Sequence, residues 1–251
     1  MRVLIAVPTY DEAANIDPLF DLLDEHVADA DVVVIDDGSG DGTPEAVRER
    51  TTRRSDDMGL IRLVERSGKQ GLGSAYRHAF GIALSEGYDA VVELDADLSH
   101  DVGVLPTMLA VAERGIDAVI GSRYIPGGGV EGWPKRRIWL SRWGNRYAAL
   151  ALGLAINDAT AGFRVYRTDL LRRMNLDAVT AEGYAFQIEM THRAIGVGAS
   201  IVEIPIVFRD RAAGESKMSQ AIVIEALALV TKWAVSDAIT FQRSRRAYQA
   251  R

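Results

Sequence analysis

Short apolar runs rich in β-branched residues recur along the first half of this chain, separated by intervals long enough for helices that cross over a sheet. Near-continuous apolar strands of this kind are typical of a mostly parallel sheet buried on both faces. Residues 1–125 are therefore predicted to form a Rossmann-like, doubly wound α/β half. The predicted strands are 3–7, 32–35, 60–64, 90–94 and 117–121.

The second half of the sequence carries weaker signals of secondary structure. Residues 126–137 contain Gly and Pro residues followed by three cations, which predicts a mobile loop. Residues 161–166 and 200–208 are further candidate strands, and residues 185–196 have a helical pattern.

The composition excludes several classes of function. The formal charge of −6 is spread over 251 residues without a long basic block, which argues against nucleic acid as a partner, because duplex binding depends on Lys and Arg that neutralise phosphates. The sequence has no cysteine, so disulfides and thiolate metal sites are excluded. The apolar run that begins at Val3 is too short for a signal-peptide core or a membrane span, and we expect it to be the first strand.

Polar segments follow four of the predicted strands directly. In doubly wound sheets, ligands bind beyond the carboxyl ends of the strands, so these segments are where a functional site is expected. We therefore predict that all four face one crevice. They are Pro8 to Glu12, Asp36 to Gly42, Asp95 to Asp97, and Ser122 to Tyr124.

Asp95 and Asp97 form the sharpest of these signals. Residues two apart on an extended strand point to opposite faces, so both carboxylates can serve one site only if the strand turns there. Oxygen ligands at this spacing suit Mg²⁺ or Mn²⁺ shared with substrate phosphates. The alternative is a solvated turn in which both carboxylates face water.

Two glycine-containing segments are candidates for nucleotide binding. At Asp36 and Asp37, Gly38 lets the backbone approach a ligand while a carboxylate accepts hydrogen bonds from a base or ribose. The following Asp41 or Thr43 is predicted to cap the next helix. The turn around Lys69 opens a predicted helix over 74–86, and such a turn either cradles phosphate or packs closely on the sheet.

A third segment, 208–217, places three cations and a hydroxyl within ten residues. Arginine forks match phosphate oxygens in pairs, which indicates an anion site, but for this segment taken alone a surface loop is the favoured interpretation.

The motifs taken together resemble those of one known family. They are PTYDEAANI, DDGSGDGT, ELDADLSHD, GSRYIPGGG, DATAGFRVYR, EGYAFQIEM and FRDRAAGESKMS. In this order they closely resemble the polyprenol-phosphate (dolichol-phosphate) mannose synthases, which are family 2 glycosyltransferases, over about residues 3–220. The resemblance implies a GT-A fold with a mostly parallel central sheet flanked by helices, GDP-mannose as donor, Mg²⁺ or Mn²⁺, and a polyprenyl phosphate acceptor.

The resemblance also assigns roles to individual residues, and the residues singled out above complete the predicted sets. Pro8, Tyr10, Glu12 and Asp37, with Asp36, Lys69 and Asp95, are expected to bind the nucleotide sugar. Arg123, Arg137, Ser141, Arg211 and Lys217 are expected to contact the acceptor phosphate, and Asp95 and Asp97 to hold the metal. Asp95, Asp97, Arg123 and Arg211 are the expected catalytic residues.

Two departures from the family pattern leave questions open. Ser99, which is predicted as a further metal ligand beside Asp95 and Asp97, stands where relatives often have Gln, and some relatives continue into transmembrane helices beyond the position of Arg251. Two rival functions also remain: a synthase that uses UDP-glucose or another sugar nucleotide, and a non-catalytic nucleotide-binding subunit. The second rival is disfavoured because the carboxylate pair and the cationic loop are both present.

The tail suggests contact with a membrane surface. Residues 1–217 are expected to form the glycosyltransferase domain, and 218–251 an amphipathic helix with a basic end. Charges at Glu225, Lys232 and Asp237 interrupt its apolar stretch, so a membrane span is not predicted. We expect this helix to touch the domain on one side and the bilayer on another; the alternative is a helix that only covers the sheet. The predicted location is cytoplasmic, at the inner face of the cell membrane, reached directly or through a membrane-embedded partner protein.

Overall fold

Within the described residues, 1–55, 57–210 and 226–239, a seven-stranded sheet forms the centre of the computed structural model. The strand order is β3-β2-β1-β4-β7-β5-β8, and all neighbours are parallel except those of β7. The strands are Val3–Thr9 (β1), Asp31–Asp36 (β2), Ile61–Glu65 (β3), Ala90–Glu93 (β4), Ala118–Ser122 (β5), Gly129–Glu131 (β6), Arg164–Arg167 (β7), Ile201–Pro205 (β8) and Val207–Arg209 (β9).

Helices cover both faces of this sheet, as the sequence predicted. They are Ala13–Val27 (α1), Thr43–Arg53 (α2), Leu72–Glu86 (α3), Leu105–Glu113 (α4), Lys135–Leu152 (α5), Thr168–Arg173 (α6), Gly183–Gly196 (α7) and 226–239 (α8). Because side chains alternate along a strand, Val32 and Val34 pack with α1 while Val33 and Ile35 pack with α3. Both faces of β2 are therefore dry, which explains its unbroken apolar sequence.

The second half of the chain differs from the prediction at both candidate strands and at the predicted loop over 126–137. The candidate strand over 161–166 begins only at Arg164, and as β7 it runs antiparallel between β4 and β5. The single strand predicted over 200–208 is two strands, β8 and β9. Pro205, which ends β8, has no N–H to continue a ladder, and the chain bends from the main sheet into a second one there.

The predicted loop over 126–137 is partly ordered structure. Its β6 pairs in parallel with β9 to form a two-stranded sheet, and Lys135 already begins α5. The second sheet places Trp133 and Phe208 side by side, with 5.2 Å between their ring centroids.

The terminal helix α8 packs on the domain through α5 and α7. Val230 is buried in a cluster with Ala148 of α5 and Ile188 of α7. Tyr147 and Thr231 share a hydrogen bond of 2.7 Å, and His192 contacts Asp237 at 2.8 Å. Residues 226–239 thus contact the domain, whereas the bilayer contact stays a prediction.

No helix within residues 1–55, 57–210 and 226–239 is both long enough and apolar enough to cross a bilayer.

Candidate functional site

A cavity of about 260 Å³ opens at the carboxyl ends of β1, β2, β4 and β5. The prediction that the polar segments after these strands face one crevice is thus confirmed. The cavity is lined by many of the residues singled out in the sequence, namely Pro8, Tyr10, Glu12, Asp37, Lys69, Asp95, Asp97, Arg123 and Arg137.

Three of the predicted site residues that the structure describes do not line it. Asp36, Ser99 and Ser141 lie nearby: Asp36 and Ser99 are buried, and Ser141 accepts a hydrogen bond of 2.7 Å from the Tyr124 hydroxyl. Arg211 and Lys217 lie outside the described residues.

Asp36 shapes the turn after β2. Its carboxylate accepts hydrogen bonds from the hydroxyl of Thr9, from the N–H groups of Gly38 and Ser39, and from the hydroxyl of Ser39. These contacts use both of its oxygens and fix the path of the backbone. Asp36 therefore holds the loop that presents Asp37 to the cavity.

Asp37 connects that loop to the glycine-rich turn before α3. Its Oδ2 accepts hydrogen bonds from the N–H groups of Gln70 (3.1 Å) and Gly71 (3.2 Å), and its other oxygen forms an ion pair with Arg66. Lys69 lies on the same turn, with its ammonium 4.6 Å from the centroid of the Tyr10 ring. The two candidate nucleotide-binding segments are therefore one connected wall of the cavity.

A carboxylate of the protein itself occupies the N-terminus of α3. The Glu182 carboxylate accepts hydrogen bonds from the N–H of Gly73 at 2.7 Å and from that of Ser74 at 3.3 Å, and it pairs with Arg77. A Cβ at Gly73 would lie 2.8 Å from the carbonyl oxygen of Ala181. Of the two roles considered for the glycine turn, close packing is the one observed, because Glu182 takes the position open to an anion.

Asp95 and Asp97 lie on a turn that directs both toward the same cavity. The backbone after them reverses at Leu98, whose φ is +60°. The Tyr76 hydroxyl donates to Asp95 Oδ1 at 3.2 Å, and the N–H of Ser99 donates to Asp97 Oδ1 at 3.1 Å. The strand turn on which the metal hypothesis depends is therefore present.

No group of three or more His, Asp or Glu side chains among the described residues is arranged to hold a metal ion. A cation at Asp95 and Asp97 would need oxygen ligands from a bound substrate as well. This donor set fits Mg²⁺ or Mn²⁺, which bind through one or two carboxylates and share phosphate oxygens.

Arg123 is fixed by a buried ion pair on the opposite side of the cavity. Its Nε and Nη2 donate to the two oxygens of Asp158 at 2.7 and 2.6 Å, and Nη2 also donates to Thr160 at 2.8 Å. Burial raises the pKa of the Asp158 carboxyl, but the Arg123 charge and its hydrogen bonds outweigh burial and leave that pKa below its ordinary value. The guanidinium is thus held in one orientation.

An aromatic wall joins the two arginines of the cavity. The Arg137 guanidinium lies 3.8 Å from the centroid of the Trp133 ring, and the Arg123 guanidinium lies 5.6 Å from it. Phe208 packs against Trp133 and, at 5.5 Å, against His100. Burial lowers the pKa of His100, although Asp95 and Asp97 oppose the shift, so the imidazole is neutral at pH 7 and adds no charge to this wall.

Gln187 is a site residue that sequence reasoning missed. It comes from α7, lines the cavity, and donates a hydrogen bond of 2.8 Å to Glu93, which is completely buried. Burial raises the pKa of Glu93 to about 8, against a smaller opposite effect of Arg164. The one sequence signal for Gln187 is that it is the polar residue in the apolar run Ala185 to Ile188. The local sequence does not indicate that its side chain reaches the cavity.

Comparison with known proteins identifies the family. Residues 4–174 match the family model described as Glycosyl transferase family 2. The chain is a family 2 glycosyltransferase. The enzyme class inferred from the motifs is therefore confirmed.

Two relatives match nearly the whole length of this glycosyltransferase. It is 44% identical to undecaprenyl-phosphate mannosyltransferase of Micrococcus luteus over 236 residues, which cover 94% of this chain and 95% of that protein. It is 41% identical to polyprenol monophosphomannose synthase of Mycolicibacterium smegmatis, over 93% of this chain and 87% of that protein. They confirm the resemblance to the polyprenol-phosphate mannose synthases.

Solved structures of a more distant enzyme share the fold. Glucosyl-3-phosphoglycerate synthase from Mycobacterium tuberculosis in complex with phosphoglyceric acid has a TM-score of 0.67 at 18% identity, covering 92% of this chain and 80% of that chain. The same enzyme in complex with Mn²⁺, UDP-glucose and phosphoglyceric acid also has a TM-score of 0.67, at 20% identity, covering 93% and 79%. The glycosyltransferase fold predicted from the sequence is confirmed.

The burial of Glu93 predicts how stability depends on pH. Its pKa is 4.5 in the unfolded chain and about 8 in the folded protein, so between these values the folded state binds more protons, and the free energy of unfolding falls as pH rises. Glu93→Gln removes this loss. Relative to wild type, the variant should gain on the order of 3 kcal/mol between about pH 5 and about pH 8, measured by urea unfolding. A difference that does not change with pH would contradict this assignment.

Proposed function

We propose that this enzyme transfers mannose from GDP-mannose to a polyprenyl monophosphate, giving polyprenyl-phosphate mannose and GDP. The observation that carries the proposal is one cavity in which a carboxylate pair and two oriented arginines stand together, in a chain whose near full-length relatives are named as mannosyltransferases of polyprenyl phosphates. Such a site provides for a metal-bound diphosphate and a second phosphate at once.

The donor is assigned to the wall formed by the first two strand ends. Tyr10 and Lys69 stack together there, and Pro8, Glu12 and Asp37 line the same side. Asp36 does not line this wall but fixes the loop that carries Asp37, through hydrogen bonds from the N–H groups of Gly38 and Ser39. The carboxylates suit hydrogen-bond donors on a base or a ribose, and the Lys69 ammonium suits a phosphate.

Asp95 and Asp97 are the residues that would hold Mg²⁺ or Mn²⁺. The ion would neutralise charge on the diphosphate and so favour departure of GDP. Ser99 contributes its backbone N–H to Asp97, and its side chain does not line the cavity, so we propose the two aspartates alone as protein ligands. The comparable M. tuberculosis enzyme was solved with Mn²⁺ and a sugar nucleotide, which supports a divalent ion here.

The acceptor phosphate is assigned to the arginine side of the cavity. Arg137 pairs with Asp210 at 3.4 Å, leaving other donors of its guanidinium for a ligand, and Arg123 stands on the same aromatic wall. Arg211 and Lys217, from the segment outside the described residues, are proposed to complete this side. Ser141 is proposed to support this side, because its hydroxyl accepts a hydrogen bond from the Tyr124 hydroxyl next to Arg123.

The reaction needs no protein base. A phosphate monoester is largely dianionic at pH 7, so one of its oxygens attacks the anomeric carbon while the bond from that carbon to the β-phosphate oxygen breaks with its electron pair. In-line displacement inverts the anomeric centre. Two like charges about 5 Å apart at an effective dielectric of about 20 repel by roughly 3 kcal/mol, and the arginines offset this repulsion by holding the acceptor.

A polyprenyl acceptor places the reaction at a membrane surface. We propose that the enzyme works at the inner face of the cell membrane, where a sugar nucleotide made in the cytosol meets the lipid phosphate. Contact with that membrane is proposed to be peripheral, with a membrane-embedded partner as a further route.

A donor screen tests the proposal. Purified enzyme is mixed with a short-chain polyprenyl phosphate in detergent, Mg²⁺ or Mn²⁺, and radiolabelled GDP-mannose, UDP-glucose or other sugar nucleotides. Lipid-soluble label from GDP-mannose is the expected result. Label only from UDP-glucose would replace the donor while keeping the reaction, and no labelled lipid from any donor would refute the proposal.

The carboxylate pair provides a direct prediction. Asp95→Asn and Asp97→Asn each keep a hydrogen-bond acceptor but lose the charge that would bind the ion, so transfer should fall at least about a hundredfold while stability stays within about 1 kcal/mol. Asp101→Asn, in the same segment but outside the cavity lining, is the matched control and should retain activity. Wild-type turnover of either variant, or of wild type in EDTA, would remove the ion from the mechanism.

The two sides of the cavity provide a second prediction. Arg137→Ala should raise KM for the lipid phosphate about tenfold with little change in GDP affinity, since the ligand contact that it loses is to the acceptor. Asp37→Asn should weaken GDP binding, measured by calorimetry, while Arg48→Ala on the surface of α2 should change neither. Equal losses of GDP affinity in the Arg137 and Asp37 variants would show that the division into donor and acceptor sides is wrong.

A further inference from the structure

Helix α5 has an unusual charge for this protein. It carries five Lys or Arg residues and no carboxylate, in a chain whose formal charge is −6. Three of these cations, Lys135, Arg136 and Arg137, stand in the first turn, where the helix dipole disfavours positive charge. Helix stability therefore does not explain these three cations, whereas binding of an anion outside the helix would explain them.

The same helix exposes large apolar side chains. Trp139 is 66% exposed, Trp143 is 44% exposed and Leu150 is 74% exposed. At about 100° per residue, these three positions lie within a sector of roughly 40° on the helix. They form one apolar stripe rather than three scattered residues.

Cations flank this stripe. At the same rotation per residue, Lys135, Arg142 and Arg146 fall on one side of it and Arg136 on the other, within a sector of about 120° in all. All four are exposed, and across residues 1–55, 57–210 and 226–239 none of them forms an ion pair with a carboxylate. The outer face of α5 is defined as Lys135, Arg136, Trp139, Arg142, Trp143, Arg146 and Leu150.

The outer face of α5 lies next to the acceptor side of the cavity, and one of its aromatic residues is linked to α8. Arg137, on another side of the same helix, lines the cavity. Trp143 stacks on Tyr147 with 5.7 Å between ring centroids, and Tyr147 is bonded to Thr231 of α8. A surface bound to this face would therefore lie near the proposed acceptor phosphate.

We propose that the outer face of α5 seats the enzyme on an anionic bilayer, with Trp139 and Trp143 at the headgroup level and the cations on lipid phosphates. Tryptophan is typical of membrane interfaces, and clustered Lys and Arg bind anionic leaflets. The inference rests on the proposed function, because a lipid acceptor gives the enzyme a reason to meet a bilayer at this point. Charge complementarity favours a bilayer over a second copy of this chain, since that copy would place the same cations against one another.

The test measures binding of the full-length protein to vesicles of phosphatidylcholine with and without phosphatidylglycerol. Trp139→Ser/Trp143→Ser should lower the partition coefficient on phosphatidylglycerol vesicles at least about tenfold. Arg136→Gln/Arg146→Gln should lower the preference for phosphatidylglycerol and its dependence on salt. The matched control is Leu60→Ser/Val197→Ser, which changes exposed apolar residues next to the opposite ends of the strands and should bind as wild type does.

Mannosyl transfer to a short-chain acceptor in detergent separates this inference from the proposed function. The tryptophan variant should keep wild-type turnover there, because only its seating on the bilayer is lost. Vesicle binding equal to wild type would overturn the inference, as would loss of turnover in detergent. A wild-type dimer that becomes monomeric in the tryptophan variant with vesicle binding unchanged would assign the face to a second copy instead. If the wild type makes no mannolipid, the proposed function is refuted. The vesicle experiment still tests the inference about α5, because it measures binding and not transfer.

Discussion

Parallel pairing of strands is the constraint on which the rest of this structure depends. A strand such as β1 or β2 is dry on both faces, so its polar residues are confined to its ends. Because β1, β2, β4 and β5 run in the same direction, their carboxyl ends meet at one edge, and the charged residues after them gather there. The cavity is a consequence of how the sheet is connected, and its chemistry follows from which side chains come just after each strand.

Collecting so many charges at one edge requires that each be held in place. Asp36 and Asp37 hold the loops of the wall that we propose for the donor, and the buried pair of Arg123 and Asp158 holds the other side of the cavity. A buried pair of this kind contributes little net stability, but losing one partner leaves a charge without compensation. This pair holds Arg123 in one orientation on the side of the cavity that we propose for the acceptor phosphate, and a charge oriented in advance in this way lowers a reaction barrier.

The sequence predicted the parts of the site that depend on local pattern. An apolar run followed by Asp95-Ala96-Asp97 marks a strand end whatever surrounds it, and the resemblance to a known family added Arg123 and Arg137. Glu182, which binds the N–H groups of Gly73 and Ser74, and Gln187, which reaches Glu93, depend on contacts between residues about a hundred positions apart. The position of β7 between β4 and β5 likewise depends on which strand edges are free to pair with it. The local periodicity of the sequence does not predict this.

The central claim is that Asp95 and Asp97 bind a metal ion together with a nucleotide diphosphate and not as a site of their own. Electron paramagnetic resonance of Mn²⁺, titrated into the wild-type enzyme with and without GDP, measures this directly. With two carboxylates as the proposed protein ligands, Mn²⁺ should bind weakly alone and at least about tenfold more tightly when GDP is present, and GDP affinity should rise by the same factor. An Mn²⁺ affinity that is the same with and without GDP would contradict the account.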